Sequence, residues 1–186
     1  MRMGLILGLM IFAGGAGASA SAAASGPAGA SAKPLEVVPF VDLQKYLGTW
    51  YEIATIPQRF QKGCVGVTAE YKLRPDGDIT VVNTCRQGSL DGKVRTVRGK
   101  AWVVDKKTNA KLRVRFFWPF SGAYWIIGLD ADYRWAIVGH PDRTYLWILS
   151  REPQMDDALY KELLRLIADK GYHLAKIKRT LQPGGN

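Results

Sequence analysis

Few side chains in these 186 residues could do chemistry. The two cysteines are Cys64 and Cys85, and the two histidines are His140 and His173. Two Cys and two distant His have no ligand spacing, so no metal site is expected. Ser150 follows a strand-like run but lacks the Gly-x-Ser-x-Gly elbow. Neither histidine is placed by sequence near a nucleophile, and no glycine-rich phosphate loop is present. The chain therefore reads as a binding protein without a cofactor rather than an enzyme. One carboxylate stands out, in "YLGTWYEIATIPQRF" at 46–60. In a strand starting there, Trp50, Glu52, Ala54 and Ile56 share a face. If Trp50 points inward, so does Glu52, and a carboxylate in an apolar interior is costly unless it is paired. Glu52 is then either a polar anchor for a ligand headgroup or a structural partner for a neighbouring Arg or Tyr hydroxyl.

The N-terminus has its own character. "MRMGLILGLMIFAGGAGASA" carries a single Arg2, an apolar run and then small residues, a secretory layout with cleavage expected after Ala20. The apolar run is too short to span a bilayer. Residues 21–38 are an Ala/Gly/Ser/Pro-rich leader that cannot bury enough surface to order itself. The folded domain is placed at 39–182, with a short disordered tail at 183–186. Cleavage would remove Arg2 and leave 25 basic against 16 acidic residues, a charge of +9. Such a surface is drawn to anionic membranes, and export argues against nucleic acid as a partner. Export also implies an oxidising compartment, which favours a disulfide between Cys64 and Cys85 over two buried thiols.

From residue 49 the chain is a series of short β-rich runs, at 49–56, 65–74, 78–86, 93–104, 110–118, 123–129, 133–140 and 144–150. Turn chemistry separates them: "RPDGD", "SLDG", "DKKTN", "PFSG", "DAD" and "HPDR". Connections this short force sequential antiparallel neighbours. In "KLRVRFF", Leu112, Val114 and Phe116 lie on one face and Lys111, Arg113 and Arg115 on the other. The period then changes. In "QMDDALYKELLRLIADKG" at 154–171, Leu159, Leu163, Leu166 and Ile167 fall on one helical stripe, with acidic residues early and Gly171 at the end. A last short strand follows within 173–181. Eight antiparallel strands can close into an up-and-down barrel, which removes exposed edges and leaves room for side chains or one small ligand.

Three segments resemble a known family. "GTW" at 48–50 resembles the first lipocalin signature, "LDADYRWAIV" at 129–138 the second, and "YLWILSREP" at 145–153 the third. They occur in order, and the likeness covers about residues 39–182. The subgroup it is most similar to is the bacterial lipocalins that resemble apolipoprotein D. The resemblance implies an all-β fold: an eight-stranded antiparallel up-and-down barrel with a C-terminal α-helix and a final short strand. It implies structural roles for Gly48, Trp50, Asp132, Tyr133 and Arg151, with Trp50 as the barrel floor and the Arg151 guanidinium packed over its indole. Gly48 would end a one-turn helix begun near Asp42 and allow a sharp turn into the sheet.

The resemblance further implies a small hydrophobic ligand, a fatty acid or lysophospholipid, stored or moved for envelope maintenance. The expected ligand-binding residues are Glu52, Ala54, Trp102, Phe116, Tyr124 and Trp147. Rival readings are a haem or bilin carrier, a lipid isomerase using a barrel cysteine, and an interaction module with a filled barrel. Bacterial relatives are often lipoproteins anchored through a cysteine after the signal peptide. Here the first cysteine is Cys64, so a soluble periplasmic or secreted protein is expected, as monomer or homodimer. "FFWPFSG" at 116–122 could shape the rim or an exposed apolar patch for dimerisation. The disulfide carries a geometric demand. A regular hairpin about "RPDGD" places Cys85 opposite Val67 or Thr68, an offset of about 10 Å from Cys64. Gly63 and Gly66 are the residues that would permit a curl or a bulge to absorb it.

Overall fold

The computed structural model describes residues 33–184. The expected signal peptide at 1–20, most of the leader and the last two residues lie outside the described residues. Asp42 begins the ordered elements: its carboxylate accepts from the amides of Gln44 and Lys45 and caps a one-turn helix, α1 (Leu43–Tyr46). Eight strands follow: β1 (Gly48–Thr55), β2 (Cys64–Leu73), β3 (Ile79–Gln87), β4 (Val94–Val103), β5 (Lys111–Phe117), β6 (Phe120–Leu129), β7 (Trp135–Gly139) and β8 (Leu146–Ser150). Each pairs antiparallel with the next, and β1 pairs with both β8 and β2, so the sheet closes into a barrel. Helix α2 (Asp157–Asp169) is capped by the Asp156 carboxylate, and Gly171 leaves it at φ +82°. A 3₁₀ turn at Leu174–Lys176 and a two-residue strand, β9 (Lys178–Arg179), complete the order.

Two details differ from the sequence expectation. Strand β6 begins at Phe120 rather than 123, because only Trp118 and Pro119 separate it from β5. The ordered chain also begins earlier than residue 39. Leu35 is buried in the core, and the Val38 amide donates to the Ile126 carbonyl, so 35–38 lies against the barrel. Leu35, Val37 and Val38 are the large apolar residues of the segment.

Two apolar clusters sit on opposite faces of one sheet. The interior cluster holds Trp50, Tyr71, Val81, Leu112, Ile126 and Leu149 among others. The second holds Ile53, Ile137 and Ile148 with Leu163 and Ile167 of α2, so the helix packs on the outside of the barrel. The amphipathic stripe of α2 thus covers sheet, which explains why its buried residues are only Leu163 and Ile167.

The seam between β1 and β2 is closed in two parts. Backbone pairing spans Gly48–Tyr51. Beyond it the C-terminal segment takes over: β9 pairs with Ala54 and Thr55, and the Thr180 amide donates to the Ile53 carbonyl. The buried Gln182 amide donates to the carbonyls of both Glu52 and Val67, joining the two strands across the gap. The expected disordered tail is in contact as far as Pro183, whose carbonyl accepts from Gln154.

Candidate functional site: the barrel interior

In an up-and-down barrel the hairpin loops alternate between the two ends. The α1 end carries the β2–β3, β4–β5 and β6–β7 connections; the other end carries β1–β2, β3–β4, β5–β6 and β7–β8. Trp50, third residue of β1, lies at the α1 end and is fully buried. Its indole N–H donates to the Tyr46 carbonyl at 2.8 Å. The Arg151 guanidinium carbon lies 3.8 Å from the indole centroid, a cation–π contact. That guanidinium also donates to the carbonyls of Thr49, Lys45 and Tyr133, tying α1, β1 and the β6–β7 turn together. Gly48 enters the strand at φ +94°, and a Cβ there would lie 3.3 Å from an Arg151 nitrogen. Tyr133 turns at φ +60°, and its hydroxyl accepts from the Asp42 amide at 2.7 Å. Asp132 is an exposed turn residue; the carboxylate that organises this turn is Asp130, which accepts from the Asp132 amide and from Arg134.

Above the floor lies a chain of phenols. Tyr124 shares hydrogen bonds of 2.8 Å with Tyr46 and with Tyr71. Three hydroxyls supply three protons and the two bonds use two, leaving one to donate elsewhere. Burial pushes the Tyr71 phenol up to about 12 and raises Tyr46 and Tyr124 as well, so all three are neutral donors at ordinary pH.

Nearer the other end is a second polar group. Glu52 is 4% exposed. Its carboxylate accepts from the Thr180 hydroxyl at 2.6 Å and from the Gln61 amide at 2.8 Å. Gln61 in turn accepts from the Trp147 indole N–H at 3.4 Å. Gln61 ends a 3₁₀ turn (Arg59–Gln61) in the β1–β2 loop, so this loop reaches over the mouth and into the barrel. The partners of Glu52 are thus a threonine and a glutamine from distant segments, not the Arg or Tyr that the sequence suggests. Burial raises the Glu52 carboxyl above its usual range, and the two donated hydrogen bonds only partly offset that.

This gives a pH prediction. A carboxyl with a raised folded-state pKa holds its proton in the folded chain after the unfolded chain has lost it. Its contribution to stability is complete below the unfolded pKa and is lost as pH rises through the folded value. Relative to Glu52→Gln, the wild type should lose stability over that window, by no more than about 1.4 kcal/mol per pH unit. Urea midpoints at a series of pH values check it; parallel pH profiles for the two proteins would mean that folding does not raise the Glu52 carboxyl.

The remaining expected ligand residues divide. Phe116 faces inward, its ring against the Gly99 backbone, and Tyr124 and Trp147 pack on the interior cluster. Trp102 faces outward: it sits opposite Arg113 while its neighbours Ala101 and Val103 oppose the inward Val114 and Leu112, and Arg115 lies over its ring. Ala54 belongs to the helix-side cluster. The reason is a bulge between Glu52 and Ala54, where the pairing with β8 skips a residue and reverses the alternation. Simple parity cannot see that step. In place of Ala54, Thr55 comes opposite Trp147.

Sequence reasoning also missed Asn83. It lies in β3 between the inward Val81 and Cys85 and opposite Ala69, so it points into the barrel. Its side-chain oxygen is buried with no hydrogen-bond partner, as are both polar atoms of Gln58 in the mouth loop. Orphaned buried polar atoms cost free energy unless a bound group or water satisfies them. An Asn in a strand of Val and Thr was the available signal.

Cys64 and Cys85 are bonded to each other with Cα atoms 5.5 Å apart, and neither is a free thiol. Neither histidine belongs to the interior: His140 pairs with Asp142 in the β7–β8 turn, and His173 is exposed before the 3₁₀ turn.

This barrel, with its Gly-x-Trp floor clamped by an arginine, is the architecture of carrier proteins that hold small hydrophobic ligands. The lipocalin-like domain profile matches residues 41–182, and the chain belongs to the lipocalin family. It is 44% identical over 148 residues to "Outer membrane lipoprotein Blc" of Escherichia coli K12, covering 80% of this chain and 83% of that one. It is 41% identical over 159 residues to "Temperature-induced lipocalin-1" of Arabidopsis thaliana (81% and 84% covered) and 32% identical over 151 residues to bovine apolipoprotein D (76% and 77%). Among solved structures, insecticyanin of the tobacco hornworm Manduca sexta superposes with a TM-score of 0.63 at 18% identity, covering 78% of this chain and 83% of that one.

Proposed function

We propose that this lipocalin carries a single-chain amphiphile, a fatty acid or lysophospholipid, outside the cytoplasm. The observation that supports this best is the mixed character of the interior. Its walls are apolar, yet Asn83 points inward with a side-chain oxygen that the chain leaves unmatched, and the buried Gln58 amide of the mouth loop has two more such atoms. An acyl chain suits the walls and a polar head suits those atoms. Glu52, whose carboxyl is pushed above its usual range by burial, adds a polar group to the interior, where it already accepts from Thr180 and Gln61. The disulfide fits an oxidising compartment such as the periplasm or the exterior. Cys64 and Cys85 are bonded to each other, so neither is a free thiol there. A role in envelope maintenance follows from moving lysophospholipids or fatty acids between membranes. The isomerase alternative needs a barrel thiolate, which this pairing removes.

Organic extraction of purified protein followed by mass spectrometry should yield a fatty acid or lysophospholipid. Calorimetry of delipidated protein with lysophosphatidylcholine should show binding that needs no metal. Bound brominated acyl chains should quench the emission of the inward Trp147 and leave the outward Trp102 unaffected. An empty extract together with no heat of binding would overturn the reading in favour of a filled interaction module.

A further inference from the structure

The two ends of the barrel differ in charge and in apolar exposure. The mouth segments 56–63, 86–95, 113–121 and 140–145 hold eight Lys and Arg against two Asp. The floor segments 42–48, 73–79, 103–111 and 129–135 hold six of each sign. The positive charge of the chain is therefore concentrated at the mouth. The same end carries the largest exposed aromatics: Phe60 is 66% exposed, Phe117 71%, Trp118 82% and Phe120 78%. Three of these form the tip of the β5–β6 hairpin around Pro119. The base of that tip is braced by cations. Arg113 donates from two guanidinium nitrogens to Ser121 across the hairpin, and Arg115 lies over the Trp102 ring on the same outer face.

We propose that the β5–β6 hairpin is a docking element for anionic lipid bilayers, setting the barrel mouth against the membrane surface. Aromatic side chains on a short rigid tip are the residues that partition into the interfacial zone of a bilayer. Basic side chains around them bury their aliphatic stems while the charged heads reach anionic headgroups. The charge asymmetry selects the bilayer over a second copy of this chain: two mouths facing each other would bring together two net-positive rims, whereas an anionic surface neutralises one. The floor, with balanced charge, has no such preference. This proposal stands apart from the identity of the cargo, because docking needs only the outer residues of the mouth.

Vesicle flotation tests it, with the full chain and delipidated protein. Wild type should float with vesicles of equal parts phosphatidylcholine and phosphatidylglycerol, and far less with phosphatidylcholine alone or at high salt. Phe117→Ser, Trp118→Ser and Phe120→Ser combined should lower the partition coefficient at least about tenfold. The pair Lys62→Gln and Lys93→Gln should lower it about fivefold per charge, while Lys106→Gln with Lys107→Gln at the floor leaves it near wild type. Residues 1–32 are common to every variant, so their own affinity cancels in the ratios. All seven side chains are exposed, and matching thermal melts show that the folds are intact. Trp118 emission, taken as the difference between wild type and Trp118→Phe, should shift to the blue on binding. Equal losses from floor and mouth charges would overturn the proposal, as would flotation indifferent to the tip. So would a concentration-dependent dimer that the tip substitutions abolish without any change in flotation. An empty barrel with intact flotation would overturn the cargo reading alone.

Discussion

Trp50→Ala should destabilise the barrel by about 3–5 kcal/mol, the range for removing a fully buried Trp whose neighbours cannot collapse into the void. The site has little freedom to relax. The indole touches Tyr46 at a centroid separation of 5.0 Å, and Tyr46 is itself fixed through Tyr124 and Tyr71. The other side is covered by Arg151, held by three backbone carbonyls. Truncation removes the apolar contacts, one hydrogen bond to the Tyr46 carbonyl and the cation–π partner of the guanidinium at once. Arg151→Ala should cost less, because its nitrogen atoms lie at a partly exposed edge where water can replace them at the carbonyls. Trp50→Phe separates volume from hydrogen bonding and should lose about 1–2 kcal/mol. Urea or guanidinium unfolding, followed by far-UV circular dichroism, measures all three. A Trp50→Ala midpoint that places the variant within about 0.5 kcal/mol of wild type would mean that the indole does not close the barrel.

The floor was legible through the family resemblance, which implied Trp50 as the closing residue with Arg151 over its indole, and the entry into the first strand is encoded locally. A capping Asp42, a glycine that must take positive φ and a tryptophan two residues later define one turn and one strand start. Strand order was equally accessible, since loops of a few residues leave only neighbouring antiparallel pairs. The site was less so, and for a definable reason. Facing direction was inferred from alternation, which holds only between bulges. In β5 it placed Phe116 inward, and the structure agrees. In β1 the bulge after Glu52 turned Ala54 outward. In β4 no clear alternation was available from "VRTVRGKAWV", and only the register against β5 shows that Trp102 faces solvent. The partners of Glu52 were beyond reach for a different reason. Gln61 and Thr180 lie 9 and 128 residues away, in a loop and in the C-terminal segment, and meet only because that segment fills the seam between β1 and β2.

Removing both cysteines, as Cys64→Ala with Cys85→Ala, should cost about 3 kcal/mol. The bond spans a sequence separation of 21 residues, and closing a loop of that size in the unfolded chain accounts for about that much on chain-entropy grounds. The register shows how the bond is reached. Cys64 pairs with Gln87 and Val65 with Arg86, but Thr68 already pairs with Thr84, so Gly66 and Val67 together face Cys85. That bulge shortens the offset between the cysteines from the three or four residues of a regular hairpin to two, and the Cα atoms come within 5.5 Å. Gly63 and Gly66 take positive φ of 74° and 55°, backbone that L side chains rarely adopt. The effect should reach the site as well. The disulfide holds the C-terminal end of the mouth loop, where the Gly88 amide donates to the Gly63 carbonyl and Gln87 donates to that of Lys62. Gln61, one residue earlier, supplies the bond to Glu52. Losing the bridge should therefore loosen Gln61 and speed ligand release along with lowering the unfolding midpoint. Denaturant unfolding with and without dithiothreitol, alongside the double variant, checks the stability; stopped-flow release of a fluorescent fatty acid checks the loop. Reductant that lowers the wild-type midpoint but not the variant's is the expected pattern. Two alkylated thiols in native, unreduced protein would mean that the bridge does not form and that a reactive barrel cysteine is available after all.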